Sequence, residues 1–224
     1  EEDAAMAAAM SGQADVAHTA ASYSDQEIDG YELLSVATVD NRGFNLPCTE
    51  PEEKDGITYG NSLTSDVKVR RAINLAIDRE EMIENVLNGY GTVAYSVCDK
   101  MPWYNEEAVT EYDLDAAKAL MEEAGWIEGD DGIREKDGEK AELTIMFSNG
   151  DSVRQALAED SANQLRELGI DVTTSGVGWD TAYDQAQSEP LIWGWGAHSP
   201  MAVSYTHLTL PRTLGCRSRW SPYH

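Results

Sequence analysis

The sequence predicts an α/β fold, on three observations. Apolar residues at helical spacing alternate with short β-rich runs along most of the chain. Three of the helical runs open on an aspartate suited to capping, Asp78, Asp113 and Asp151, and close at Gly89, Gly125 and Gly169. Between them lies Asp137-Gly138, a dipeptide that favours the type I′ turn of a hairpin.

Residues 4–10 form an Ala/Met helix stopped at Ser11-Gly12, with a short strand expected near 16–18. Residues 31–39 are β-rich, and 42–46 read as a second strand ended by Pro47. The polar stretch 48–64, with three glutamates and two glycines, reads as a loop. Two helices follow back to back. Val69, Ala72, Ile73 and Ala76 fall on one face of the first. Asp78-Arg79-Glu80-Glu81 is a D-x-x-E capping box opening the second, which buries Met82, Ile83, Val86 and Leu87 and ends at Asn88-Gly89. From Asp113 a helix carries Leu114, Ala117, Leu120, Met121 and Ala124 to Gly125. Asp137-Gly138 is expected to join residues 133–136 to a strand at 142–147. Asp151 caps a helix with Val153, Ala156, Leu157, Leu165 and Leu168 on one side. A strand at 170–174, a helix around 181–187 and a strand at 191–193 complete the body.

The 224 residues carry 16 basic and 41 acidic side chains, a formal net charge of −25. So negative a surface repels phosphate backbones and anionic headgroups, which argues against nucleic-acid and membrane-surface partners. No apolar run approaches the ~20 residues that a membrane helix needs. The chain opens at Glu1-Glu2-Asp3 with neither an initiator Met nor a signal peptide. That fits a cytosolic protein with its Met trimmed, a processed secreted protein or a fragment. The 3 cysteines do not make a disulfide framework, and none lies in a CxxC.

Residues 203–224 differ from the rest: they hold no acid, and Arg212, Arg217 and Arg219 give +3, leaving residues 1–202 at −28. One reading is a basic arm docked on an acidic body. The other rests on Val203-Ser204-Tyr205-Thr206-His207-Leu208-Thr209-Leu210-Pro211, which resembles a translated transposon adapter from sequencing libraries, so that 203–224 would be a non-native tail.

Gly89-Tyr90-Gly91-Thr92-Val93-Ala94 formally matches GxGxxA, but its glycines follow a helix and lead into a strand. A dinucleotide site needs the reverse order, so no nucleotide cofactor is expected. GxxxxGK[ST], HExxH and GxSxG are absent, and His18, His198, His207 and His224 do not cluster at metal-ligand spacing. With 41 acids, solvated faces account for most carboxylate pairs. His18 after a strand reads first as a structural residue. Trp193-Gly194-Trp195-Gly196-Ala197-His198 alternates aromatics with glycines at a strand end, either a core strand entering a turn or a ligand wall. Trp179, after Gly176-Val177-Gly178, has the same character.

At Val69-Arg70-Arg71-Ala72-Ile73-Asn74-Leu75-Ala76-Ile77-Asp78-Arg79-Glu80 the chain resembles the family 5 solute-binding proteins of ABC importers, which include oligopeptide-, dipeptide- and nickel-binding proteins. Gly12-Gln13-Ala14-Asp15-Val16, Gly43-Phe44-Asn45 and Leu87-Asn88-Gly89-Tyr90-Gly91 resemble further motifs of that family. So do Tyr112-Asp113 with Ala117-Lys118-Ala119-Leu120 and Glu123-Ala124-Gly125-Trp126, and the run from Gln164-Leu165-Arg166-Glu167-Leu168 to Gly169-Ile170-Asp171-Val172. The resemblance covers about residues 5–202.

The resemblance implies a type II periplasmic-binding-protein-like fold, present as a central fragment. Residues 1–58 would end the first lobe and cross the hinge, and 59–202 would form most of the second lobe. It implies a bacterial extracytoplasmic receptor that captures peptides or a small metal chelate and delivers them to an ABC permease. Such a receptor is monomeric and does no chemistry on its ligand. It would lie in the periplasm or at the cell surface, as a lipoprotein anchored through an absent N-terminus. A narrower alternative is a receptor for nickel or another metal chelate. From other classes come an extracytoplasmic hydrolase using a carboxylate pair, and an acidic interaction module without a small ligand.

In peptide-binding members the stretch matching 195–198 holds a Trp and, three residues on, an Asp that pairs with the peptide's amino terminus. Here Trp195 is kept and His198 takes the acidic place; an imidazole is a weaker partner for an ammonium group. The order Trp195-Gly196-Ala197 also resembles the nickel-binding branch, where the aromatic packs on an organic chelate. Trp179 matches another aromatic of the peptide pocket. The expected ligand set is therefore Trp179, Trp193, Trp195, Gly196, Ala197 and His198, with His18 facing His198 from the first lobe. Two family inferences complete the picture: a disulfide between Cys48 and Cys98, and apolar surface left exposed around 33–39 because the first lobe lacks its partner strands.

Overall fold

The computed structural model describes residues 2–96, 99, 101–102 and 104–196, the side chain of Trp195 excepted. In chain order the elements are α1 (Glu2–Met10), β1 (Asn41–Asn45), β2 (Glu52–Lys54), β3 (Ile57–Tyr59), α2 (Val67–Leu75), α3 (Arg79–Leu87) and α4 (Leu114–Glu123). Then come β4 (Ile127–Glu128), β5 (Arg134–Lys136), β6 (Glu139–Lys140), β7 (Glu142–Ser148), α5 (Ser152–Glu167), β8 (Asp171–Val177), α6 (Trp179–Gln185) and β9 (Leu191–Trp195). The described residues group into two units, a larger one of 2–35, 43–93 and 110–193 and a smaller one drawn from 36–42, 94–109 and 194–196.

The main sheet has the order β1-β9-β7-β8. β7 and β8 run parallel, in register from Glu142 opposite Asp171 to Ser148 opposite Val177. β9 lies parallel on the other edge of β7, with Leu191 opposite Met146. The two-residue period of a strand divides the apolar side chains between two faces. Leu143, Ile145 and Phe147 of β7, Val172 of β8 and Ile192 of β9 meet Val69, Ala72 and Ile73 of α2, Ala117 and Met121 of α4, and Ala158, Ala162 and Leu165 of α5. Met146 and Leu191, with Val177 and Trp193 against them, pack on Ala182 of α6 and its C-cap Ala186 from the other side. Helices on both faces explain why Ile145-Met146-Phe147 is a continuous apolar run rather than an alternation.

The caps form as the sequence indicates. Asp78 accepts from the amide of Glu81 at 3.0 Å, Asp113 from that of Ala116 at 2.8 Å, and Asp151 from that of Arg154 at 2.9 Å. Asp137 and Gly138 both take positive φ, 52° and 85°, as a type I′ turn requires.

Several elements depart from expectation. The Asp137-Gly138 turn joins β5 to the two-residue β6, in a separate sheet of β4, β5 and β6, and the chain enters β7 only after Ala141. Residues 16–18 and 31–39 form no strand; Val16, Leu34 and Val36 are exposed, as is Leu33. Apolar content alone does not make a strand, because a lone extended segment leaves its amides without ladder partners. Residues 48–64 are not only loop: β2 and β3 pair across Asp55-Gly56, whose φ values are 54° and 78°. Charged flanks hid that hairpin, since Glu52, Glu53 and Lys54 are all exposed. The last helix begins two residues before the expected start, which makes Trp179 its first residue. The tail at 203–224 and Cys98 lie outside the described residues; Cys48 is half-buried just beyond β1.

Candidate ligand-binding site

The chain leaves β7 for α5, which packs on one face of the sheet, and leaves the neighbouring β8 for α6, which packs on the other. Such a switch of direction between adjacent parallel strands opens a crevice outside their carboxyl ends. The amide of Asn149, just past β7, donates to the carbonyl of Val177 at the end of β8, 3.0 Å away. A Cβ on Gly176 would stand 2.5 Å from Asn149 Oδ1 and 3.0 Å from Phe147 Cε2, so the glycine makes room for the Asn149 side-chain amide and the Phe147 ring at these strand ends.

An aromatic platform stands at this edge. The rings of Trp179 and Tyr183, one helical turn apart on α6, are 5.9 Å apart, and each contacts Trp193 of β9, at 6.1 and 5.7 Å. Interplanar angles of 31–41° are tilted contacts of the kind aromatic pairs favour. Trp193 is partly buried against the second core, whereas Trp179 and Tyr183 stay 40% and 49% exposed. From the first turn of α5, the Arg154 guanidinium reaches over Trp179, 5.7 Å from the ring centroid, and pairs with Asp151.

The amino-terminal helix docks beside the same edge. Asp3 accepts from Ser152 Oγ, at the start of α5, at 3.3 Å and from the Tyr23 hydroxyl at 2.9 Å; that bond to a carboxylate raises the phenol's pKa. His18 is exposed, with Nδ1 3.7 Å from Glu2 Oε1, beside an open depression lined by Ala5, Ala8, Ala14, Val16 and Ala17.

Of the expected site residues, Trp179 and Trp193 come together. Gly196 lies in the smaller unit, where a Cβ would stand 3.3 Å from Asp40 Oδ1, and Asp40 pairs with Arg42 at 2.6 Å. Ala197, His198 and the side chain of Trp195 lie outside the described residues. Sequence reasoning missed Tyr183 and Arg154. The spacing of Trp179 and Tyr183, four residues apart on a helix, was the available signal for the first. For Arg154 there was only its place three residues after a cap. Among the described residues, no three His, Cys, Asp or Glu side chains are grouped to hold a metal ion, and no helix is long and apolar enough to cross a membrane.

Residues 1–213 match the family described as bacterial extracellular solute-binding proteins, family 5 Middle. The oligopeptide-binding protein AppA of Bacillus subtilis is 34% identical over 145 residues, 60% of this chain and 27% of its own length. The nickel-binding periplasmic protein of Escherichia coli is 33% identical over 141 residues, 61% of this chain and 27% of its own. The crystal structure of NikZ from Campylobacter jejuni in complex with Ni(L-His) superposes with a TM-score of 0.76 at 24% identity, over 92% of this chain and 40% of that one, and shows the shared fold. The chain thus spans about a quarter of the length of the curated relatives it matches.

Proposed function

Because the chain belongs to the family 5 bacterial extracellular solute-binding proteins, we propose that it is part of a receptor that captures a peptide or small metal chelate outside the cytoplasm and hands it to an ABC permease. The observation that carries this reading is the half-exposed pair Trp179 and Tyr183 on Trp193, at the switch point of a parallel sheet. Exposed aromatics on a rigid sheet edge offer apolar contact at little entropic cost, which suits a small ligand carried intact. Residues 59–202 would supply second-lobe contacts, with Trp179 and Trp193 the expected ligand residues that stand on the platform. A binding partner in the membrane and the absence of chemistry on the ligand belong to the same proposal. Two relatives at 33–34% identity, one named for oligopeptides and one for nickel, support both ligand classes.

The test uses the intact protein, purified without denaturation, and identifies co-purified ligand by mass spectrometry. A peptide or chelate released unchanged, and a melting temperature that rises when it is restored, is the expected result. Cleavage of added peptide pools, with no bound intact ligand, would instead favour a hydrolase.

A further inference from the structure

We propose that Arg154 receives a carboxylate of the bound solute, and that Asp151 occupies the guanidinium in its place when no ligand is present. This deepens the receptor reading and rests on it.

Arg154 stands at the edge of the platform, over Trp179. Only 15% of it is exposed, and it belongs to the first turn of α5, where its own amide is held by Asp151 at 2.9 Å. Its Nη1 pairs with Asp151 Oδ2, and its guanidinium carbon lies over the Trp179 ring, 5.7 Å from the centroid. A cation–π contact consumes no N–H donor, so those not paired with Asp151 remain for other acceptors. One of those, Nε–H, is buried and has no hydrogen-bond partner among the described residues. A buried donor without a protein partner is uncommon in a folded protein, and it leaves this guanidinium with hydrogen-bonding capacity that Asp151 does not use. The guanidinium edge matches a carboxylate, which accepts two parallel N–H bonds.

The surroundings select the same chemistry. With a net charge of −25 the chain repels anions as a whole, so an anionic group on the solute needs a local cation. Arg154 supplies one beside the exposed rings of Trp179 and Tyr183, so a carboxylate on Arg154 would leave the apolar part of the solute against the aromatics. Asp151 is only a single carboxylate and is tied to the helix amide, so a ligand carboxylate can compete for the guanidinium without uncapping α5. Peptides carry such a carboxylate at the C-terminus, and amino-acid chelates of nickel carry it on the chelating ligand.

The experiment compares each carboxylate probe with its twin lacking the charge, by calorimetry on the intact protein. One arm uses a tripeptide pool with free C-termini against the same pool amidated. The other uses nickel–histidine against nickel–histamine. In whichever arm binds, the carboxylate form should bind at least ten times more tightly. Arg154→Gln should abolish that preference, and Arg154→Lys should keep part of it. Asp151→Asn, which retains a capping side chain, should tighten carboxylate binding a few-fold. Equal affinity for both twins in the unaltered protein, or a preference that survives Arg154→Gln, overturns the role of Arg154 while leaving the receptor reading standing. Failure of every probe to bind overturns both.

Discussion

The buried guanidinium of Arg134 donates through Nε to the carbonyl of Leu168, the C-cap of α5, at 2.8 Å. Its Nη1 donates to the carbonyl of Trp126, just past α4, at 3.0 Å, and the side chain is 1% exposed. One cation thus closes the carboxyl ends of two helices, where free carbonyls and the helix dipole both favour positive charge. Gly169 makes room for it: its φ is +88°, and a Cβ there would lie 2.9 Å from Arg134 Cγ.

Replacing Arg134 with Met is expected to leave two carbonyls without donors and to cost about 2–4 kcal/mol of stability. Arg134→Lys should fall between, because an ammonium lacks the planar fork that serves two acceptors at once. Urea denaturation of the three proteins checks the order.

Glu189 lends its carboxylate to the amide of Thr144 at 2.9 Å, on the stretch of β7 that extends beyond the start of β9. Burial raises its pKa, and the Thr144 amide offsets this only in part. The folded state therefore holds the proton more tightly than the unfolded chain, and stability from this group falls as pH rises from the unfolded to the folded pKa. Glu189→Gln keeps the acceptor and removes the charge. Its melting temperature relative to the native protein should be higher at about pH 7.5 than at about pH 4, where the native carboxyl is protonated. A difference that does not change with pH would refute the burial argument.

Asn45 spans the turn between α6 and β9: Nδ2 donates to the carbonyl of Ala186, and Oδ1 accepts from the amide of Leu191, each at 3.2 Å. Asn45→Ala removes both bonds and should cost about 1–3 kcal/mol. Asn45→Asp keeps the acceptor but sets a carboxylate against the Ala186 carbonyl, so it should recover little. Thermal unfolding measured side by side separates them.

Trp179→Ala removes the ring that touches Tyr183, Trp193 and Arg154 together. It is expected to weaken whichever probe binds about tenfold or more, and Trp179→Phe less. Calorimetry reads the affinity. Ligand should also quench or shift tryptophan fluorescence in the native protein more than in Trp179→Phe.

What was legible in the sequence was local. Asp78, Asp113 and Asp151 cap their helices because a cap needs only the chain within three residues of it. Strands were legible where an apolar run or alternation marks them, as at 143–147 and 170–174, but apolar content misled where no partner strand lies alongside and charge hid a strand that has one. The apolar stretch 31–39 lacks a ladder, and the charged hairpin of β2 and β3 has one. At the candidate site the tryptophans could be singled out by composition, but Arg154 could not. It meets Trp179 only because two crossovers end at one sheet edge.

By itself, then, the sequence determined the alternation of helices and strands, their caps and the family motifs that run through residues 5–202. These follow from side-chain periodicity and short-range hydrogen bonding, which act within a few residues along the chain. The tertiary structure alone decided that Arg154, Trp179, Tyr183 and Trp193 share one edge, and that Arg134 closes α4 and α5 together. Those pairings depend on the order of parallel strands and on the face each connecting helix covers, which the packing of the whole sheet selects.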